Sequence, residues 1–155
     1  MITWIFFDRF RNKKMSALNA CIGAIVGLVA ITPAAGFVTL GQSIFIGFFA
    51  AIVSNLAISV NKRSKVVVTL DVFPSHGVGG IVGMLLTGIL ANEVGLIHGE
   101  STTFLYHLLA LVIVAIFTFA GSWILYKITD ILIPVRVRED QEERGLDDSQ
   151  HGEAF

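Results

Sequence analysis

Residues 15–61 read MSALNACIGAIVGLVAITPAAGFVTLGQSIFIGFFAAIVSNLAISVN and contain no aspartate, glutamate, lysine or arginine. As one α-helix, this stretch would be ~70 Å long at 1.5 Å per residue, more than twice the ~30 Å hydrocarbon core of a bilayer. The chain must therefore break within it. Pro33 and Gly36 mark the break, because proline and glycine end helices. The stretch thus predicts two membrane-spanning helices, over residues 16–32 and 40–60.

Two further charge-free stretches, residues 72–92 and 101–126, follow in the chain. They predict spans over residues 66–91 and 101–133, each long enough to cross a bilayer. The composition agrees, since 54% of residues are hydrophobic and 15% are charged, whereas a soluble domain carries roughly 25% charged residues. The sequence therefore predicts an all-α integral membrane protein with about four spans.

The flanking segments complete the predicted organisation. Residues 1–10 are apolar for most of their length but too short to cross a bilayer, so we interpret them as the end of a truncated transmembrane helix. Residues 11–133 form the predicted four-span membrane region. Residues 134–155 form a cytoplasmic tail with three arginines and seven acidic residues, a net charge of −4.

Several function classes are excluded by composition and motifs. A net charge of −1 gives no electrostatic basis for nucleic-acid binding. A single cysteine excludes an internal disulfide framework and a cysteine-rich metal site. The glycine-rich residues 77–83 lack both the GxGxxG spacing and the lysine of a phosphate-binding loop. With no nucleophile–base set or cofactor motif, we expect no enzyme, no catalytic residue, no metal and no cofactor.

The positions of the basic residues orient the spans. All eleven lysines and arginines lie before residue 15, within residues 62–65, or from residue 127 onwards, near the end of the fourth span. The loops over residues 33–39 and 92–100 contain none. The positive-inside rule therefore places both ends of the chain in the cytoplasm.

His76 is the polar residue that is least expected within the third predicted span. If that helix starts near Val66, His76 lies ten residues inside it, or ~15 Å, close to the bilayer midplane. An ionisable group at that depth is costly and indicates a functional site. Val72 and Gly80 would share its face. An imidazole can relay a proton or hold a small polar molecule; the alternative is a structural histidine bonded to a neighbouring helix.

Other polar residues near this span have simpler interpretations. Asp71 either caps the helix or attracts cations to its start, and Pro74 is expected to distort the first turns. A haem held by His76 and His107 is disfavoured, because their predicted depths differ by roughly 6 Å. His98 is expected to be solvated in an outer loop.

Glycines recur at a spacing typical of close helix packing. Gly23 and Gly27 form one GxxxG pair, and Gly79 and Gly83 form another. Small residues at this spacing let helix backbones approach closely. The pairs are compatible with a tightly packed transporter and with ordinary packing of membrane helices.

The tail contains turn and apolar residues that are unusual in a purely solubilising segment. It is either a solvated acidic tail or an ordered, partner-binding segment. The residues that favour the second interpretation are Gly145, Leu146, Asp147, His151, Gly152 and Glu153.

Five stretches together resemble the ammonium transporter family, the Amt/Mep/Rh group. Residues 4–6 resemble the end of the seventh helix of that family and residues 22–36 resemble the eighth. Residues 71–83, DVFPSHGVGGIVG, resemble the tenth helix, and residues 126–130 resemble the end of the eleventh. Residues 136–155 resemble the cytoplasmic tail, although the terminal HGEAF is one residue shorter than the family pattern.

The resemblance implies an eleven-helix fold, of which this chain is the C-terminal portion from the end of helix 7 onwards. It also implies a homotrimer in the cell (inner) membrane, a cytoplasmic C-terminus, and one pore per subunit for ammonium or ammonia. The first ten family helices form two inverted repeats, a plan shared by many transporters.

The resemblance also implies roles for individual residues. His76 matches the second histidine of the central twin-histidine pair, so His76 and Val72 are expected on the substrate pathway. We expect Asp71, Gly77, Gly79 and Gly80 to shape the start of that helix. The first histidine lies outside this chain, and whether NH3 or NH4+ moves stays open.

Two functional hypotheses follow. The first is ammonium transport and nitrogen uptake, with a tail that binds a PII-type nitrogen regulatory protein. The second is a non-conducting membrane adaptor whose acidic tail binds a regulatory protein.

Overall fold

A computed structural model describes residues 1–11, 14, 16–61 and 71–152 of the chain. Within these ranges the secondary structure is helical and contains no strand. The α-helices are α1 Ile2–Phe10, α2 Ala17–Ile31, α3 Leu40–Asn61, α4 Val78–Leu90, α5 Ser101–Leu132 and α6 Glu139–Arg144. Short 3₁₀ turns cover Thr32–Ala34 and Leu96–His98, and single π-helical turns cover Phe73–Gly77 and Asp147–His151.

Among the described residues, four helical segments are long and apolar enough to cross a bilayer, which confirms the predicted fold class. Their mean hydropathies range from 1.4 to 2.5. The segments are Ala17–Ala34, Leu40–Asn61, Phe73–Leu90 and Ser101–Leu132.

The break between α2 and α3 lies where proline occurs in the sequence. Pro33 lies in the 3₁₀ turn that ends α2, because its ring and missing N–H do not fit a helix interior. Ser16 caps the other end of α2, where its Oγ accepts a hydrogen bond from the Asn19 amide at 3.1 Å. After the break, the Asn92 amide donates to the Phe37 carbonyl at 2.8 Å. This bond joins the loop after α2 to the loop after α4.

The chain divides into two compact units, Met1–Val112 and Ile113–Phe155. In the first unit α2, α3 and α4 pack against one another and α1 packs on α2 and α3. The core of this unit consists mainly of small and β-branched side chains, which allow close helix contact. Its buried members are Trp4, Val26, Ala30, Ala34, Ile46, Ala50, Ala51 and Ile58.

α2 and α4 approach each other closely at the second glycine pair. A Cβ atom on Gly83 would overlap the backbone of Ala30 in α2, and one on Gly79 would touch Val26. In the first pair, Gly23 lies against the Trp4 side chain, whereas Gly27 has open space around it. The Gly79 and Gly83 pair therefore lies at the contact between α4 and α2. In the other pair, only Gly23 packs closely against a neighbour.

A buried polar cluster ties α1 to its neighbours. Asp8 is 1% exposed, and its two carboxylate oxygens accept hydrogen bonds from the side-chain amides of Asn19 at 3.0 Å and Asn55 at 2.9 Å. One turn later, Arg11 Nη1 donates to Ser59 Oγ at 2.9 Å. A buried carboxylate is costly without such donors, so the cluster fixes the orientation of α1 against α2 and α3.

The second unit contains the end of α5 and the tail. The Val135 amide donates to the Asp130 carboxylate at 3.1 Å just after α5. At the start of α6 the Arg138 amide donates a hydrogen bond to Gln141 Oε1 at 3.4 Å. Ser149 Oγ then donates to the Gln141 carbonyl at 3.2 Å, which folds the last π-helical turn back onto α6.

Candidate substrate pathway

His76 lies in the π-helical turn Phe73–Gly77, immediately before α4. Val72 is the N-cap residue of this turn. Pro74 lies in its first positions, where a missing N–H is tolerated. Single π-helical turns occur frequently at functional sites because they change the direction of side chains relative to a regular helix.

The helix that carries His76 starts later than the sequence predicts. Asp71 has φ +48°, a left-handed conformation that aspartate tolerates but that a right-handed helix cannot include. A continuous helix from near Val66 through His76 is therefore wrong, and residues 62–70 lie outside the described ranges. His76 occupies the first turn of the described segment, so counting ten residues no longer supports its depth in the bilayer.

The segment from Val72 to Leu90 has two distinct faces. Pro74, Ser75 and Gly79 are buried on the face that packs towards α2 and α3. Val72 and His76 lie on the other face and are exposed in this chain. The structure thus places Val72 and His76 together, as the helical spacing predicts.

The predicted neighbours of His76 have different environments. Gly80 is half-buried, and a Cβ there would lie 3.8 Å from Val29 Cγ1. Gly77 lies beneath the Phe73 ring, since a Cβ there would come within 2.8 Å of Phe73 Cδ2. Among the described residues, no hydrogen bond holds the His76 ring to a neighbouring helix.

Asp71 contributes to the start of the segment through its main chain. Its carbonyl accepts from the Ser75 amide at 3.0 Å and from Ser75 Oγ at 2.6 Å. The N-cap residue Val72 provides no side-chain cap bond. Asp71 also lines a cavity of about 120 Å³ together with Asp8 and Asn55.

The two other histidines near the membrane helices are separate from this face of the segment. His98 is exposed in the 3₁₀ turn after α4. The His107 Nδ1 lies 2.8 Å from the Thr103 carbonyl, so in the neutral ring this nitrogen carries the proton. His107 also packs near Gly88 of α4. In the described part of the chain, no group of three or more histidine, cysteine or acidic side chains is arranged to hold a metal.

Buried polar residues near this segment, among them Asp8 and Ser54, were not identified from the sequence. For Asp8, the only signal is a charge directly after an apolar run. Ser54 is completely buried, and within the described ranges its Oγ has no hydrogen-bond partner. A Cβ on Gly79 would lie 3.6 Å from that Oγ. Ser54 gives no signal in sequence, because serine is common in membrane helices.

The predicted tail residues lie in and around the last helical turn. Gly145 and Gly152 have φ of +95° and +69°, conformations that glycine adopts without steric cost. They bracket the π-helical turn that contains Asp147 and His151. Leu146 is 49% exposed. Glu153 lies outside the described residues.

Comparison with known proteins places this chain among membrane transporters. The family model described as "Ammonium Transporter Family" matches residues 1–155. The chain is 37% identical to an ammonium transporter of Bacillus subtilis, over 97% of this chain and 39% of that protein. It is 39% identical to ammonium transporter Amt1 of Archaeoglobus fulgidus, again over 97% of this chain and 39% of that protein.

Solved structures show the same fold. The crystal structure of Candida albicans Mep2 matches with a TM-score of 0.82 and 32% identity, covering 90% of this chain and 34% of that one. Mep2 of Saccharomyces cerevisiae matches with a TM-score of 0.82 and 30% identity, covering 90% of this chain and 34% of that one. The chain therefore spans about two fifths of the length of the curated relatives it matches.

The family is one of transporters and not of enzymes. The apolar helices and the transporter relatives together make this a multi-pass membrane protein. Because the family match extends over the whole chain, the protein belongs to the ammonium transporter family.

Proposed function

We propose that this chain forms part of the wall of a membrane pathway for ammonium or ammonia, with His76 facing that pathway. The observation that carries the proposal is the two-faced segment from Val72 to Leu90. One face is buried against α2 and α3, and Val72 and His76 lie exposed on the other. The family relationship supplies the substrate class.

The chemistry of the exposed face suits this substrate. Bare NH4+ in a hydrocarbon environment is unstable because it loses its hydration. Val72 is 50% exposed and Phe73 is 66% exposed beside the histidine, so the face is apolar around a single imidazole. Such a face favours the neutral species NH3, while the imidazole holds or passes on the proton.

In a complete transporter, this face would be covered by the part of the protein that corresponds to the unmatched portion of the relatives. The proposal includes the histidine partner of His76 in that portion, and three such subunits assembled as a trimer. It also places the protein in the cell (inner) membrane with a cytoplasmic C-terminus. The positive-inside distribution of the basic residues supports this orientation.

The tail supports a second, regulatory role. Its described part is folded, with α6 and the final turn joined by the bond from Ser149 to Gln141, and Leu146 is presented to solvent. Acidic side chains surround this surface, which suits a basic site on a partner. We propose that the tail binds a PII-type regulatory protein. If the chain does not conduct, this role becomes its main function, that of a membrane adaptor.

Uptake measurements test the transport proposal. We expect the chain, joined to the part of the Bacillus subtilis relative that it does not match, to give saturable uptake of labelled methylammonium that ammonium inhibits. Cells that lack their own ammonium transporters provide the background. The 155-residue chain alone in liposomes is expected to give none, because His76 is then exposed to lipid without its partner helices.

Two outcomes of this experiment would contradict the proposal. One is a membrane-inserted chimera without ammonium-sensitive uptake, which would favour the adaptor. The other is saturable uptake by the 155-residue chain alone, which would show that the exposed face needs no covering helices.

A further inference from the structure

The Phe73 ring packs against its own helical turn, close to the histidine. Phe73 begins the π-helical turn that contains His76 and ends at Gly77. A Cβ on Gly77 would come within 2.8 Å of Phe73 Cδ2 and 3.0 Å of Phe73 Cε2. These contacts are too short for any residue with a side chain, so one edge of the ring rests on the Gly77 backbone.

The backbone conformation of Gly77 does not itself require a glycine. Its φ of −64° and ψ of −58° are helical angles that every L-residue adopts. Glycine is a weaker helix former than alanine, so it has a cost in this conformation. The three nearest side-chain atoms to the Cβ position of Gly77 all belong to Phe73. Glycine therefore provides space at this position, and the Phe73 ring occupies that space.

The ring lies on the exposed side of the segment, together with His76. Phe73 is 66% exposed, whereas Pro74 and Ser75, which separate it from His76 in the chain, are buried. Side chains three and four residues apart on a helical surface are neighbours. The space next to the imidazole is therefore bounded on one side by an aromatic ring that rests on Gly77.

A fixed apolar wall beside a polar group discriminates between substrates by their size. We propose that Phe73, held on Gly77, is the specificity-determining residue of this face. Ammonium and methylammonium reach His76, and the ring excludes ammonium ions with longer alkyl groups. The proposal rests on the function proposed above and adds the size class of its substrates. A ring that rests on backbone atoms cannot move aside without strain, and overpacking against such a wall is unfavourable.

Uptake of two substrates of different size tests the role of the ring. In the chimera with the Bacillus subtilis relative, the initial rates for labelled methylammonium and labelled ethylammonium are measured and expressed as a ratio. We expect methylammonium to enter at least about tenfold faster, because one methylene group has an effect of this size in an apolar pocket. Phe73→Ala is expected to lower the ratio at least about fivefold. Phe117→Ala removes a phenylalanine of α5 that is 77% exposed, and this control is expected to keep the ratio.

Gly77→Ala tests whether the glycine holds the ring. The added methyl group displaces the ring from the backbone, so we expect the ratio to fall as it does in Phe73→Ala. In a chimera that already carries Phe73→Ala, the same change is expected to have no further effect, because both substitutions act through one ring. Gly47→Ala is the matched control, since no atom lies within 4 Å of the Cβ position of Gly47.

The ratio separates this proposal from the transport proposal. A chimera with no uptake of either substrate would contradict the transport function and the specificity role with it. Normal uptake with equal rates for the two substrates, or with a ratio that Phe73→Ala leaves unchanged, would overturn the specificity role alone. An equal fall in Phe73→Ala and Phe117→Ala would also overturn it. If Phe73→Ala does not reach the membrane, Phe73→Leu, which keeps an apolar side chain but removes the ring, is judged by the same ratio.

Discussion

Replacing His76 by alanine is expected to abolish most ammonium-sensitive uptake. In the chimera with the Bacillus subtilis relative, we expect His76→Ala to lower the initial rate of methylammonium uptake at least tenfold. A positioned proton-transfer group contributes about two orders of magnitude or more to a reaction that depends on it. Alanine also removes the only polar side chain on the exposed face formed with Val72 and Phe73.

His98→Ala is the matched control for this variant. His98 is exposed in the 3₁₀ turn after α4, so its loss is expected to leave uptake within about twofold of the unmodified chimera, as is usual for surface substitutions. The amount of each variant in the membrane is measured by surface labelling. Saturable, selective uptake by His76→Ala at the unmodified rate would remove His76 from the pathway.

Gly83→Val is expected to have the largest effect on folding. A Cβ at this position would lie 2.8 Å from the Cα atom of Ala30, and the atoms it meets belong to the backbone of α2. Backbone atoms cannot rotate away as a side chain can, so α2 and α4 must separate. We expect the free energy of unfolding to fall by about 3 kcal/mol or more, the upper range for overpacking. Thermal unfolding followed by circular dichroism in detergent measures this change.

Gly27→Val is the matched control, because it adds the same side chain to a glycine of α2 with no atom within 4 Å of its Cβ position. The two variants share the same effect of valine on helix propensity. The difference between them therefore isolates the contact between Gly83 and Ala30. Equal unfolding temperatures for the two variants would show that α2 and α4 do not pack through this glycine.

The spans could be predicted from sequence because they depend on local composition. The absence of charge in residues 15–61, together with Pro33, was enough to predict α2, the break and α3. Each of these features acts within a few residues of its position, since a helix can neither include proline freely nor extend far beyond the bilayer.

The start of the third segment could not be predicted in the same way. The residues around Asp71 carry no glycine or charge run that requires a break, and the left-handed conformation of Asp71 is a property of the folded backbone. The polar cluster of Asp8 was missed for a related reason. Its partners Asn19 and Asn55 are 11 and 47 residues away, so only tertiary packing brings them together.

The candidate site was predicted in part. The residue type and the apolar surroundings were enough to single out His76, because a histidine in such a segment is unusual. The direction of its face, away from α2 and α3, could not be assigned without the packing of Pro74, Ser75 and Gly79 against those helices. The Ser54 hydroxyl, which has no hydrogen-bond partner among the described residues, was not predicted, since its burial depends on neighbouring helices.

The central claim is that the face containing Val72 and His76 lines the substrate pathway. The most direct measurement is cysteine modification in the chimera after Cys21 and any cysteine of the relative are replaced by serine. We expect a small methanethiosulfonate reagent to react with Val72→Cys and to block methylammonium uptake, and ammonium to slow the reaction. Ser75→Cys, three residues away on the buried face, is the control and is expected to stay unmodified. An unreactive Val72→Cys, or a modified one that transports at the original rate, would contradict the account.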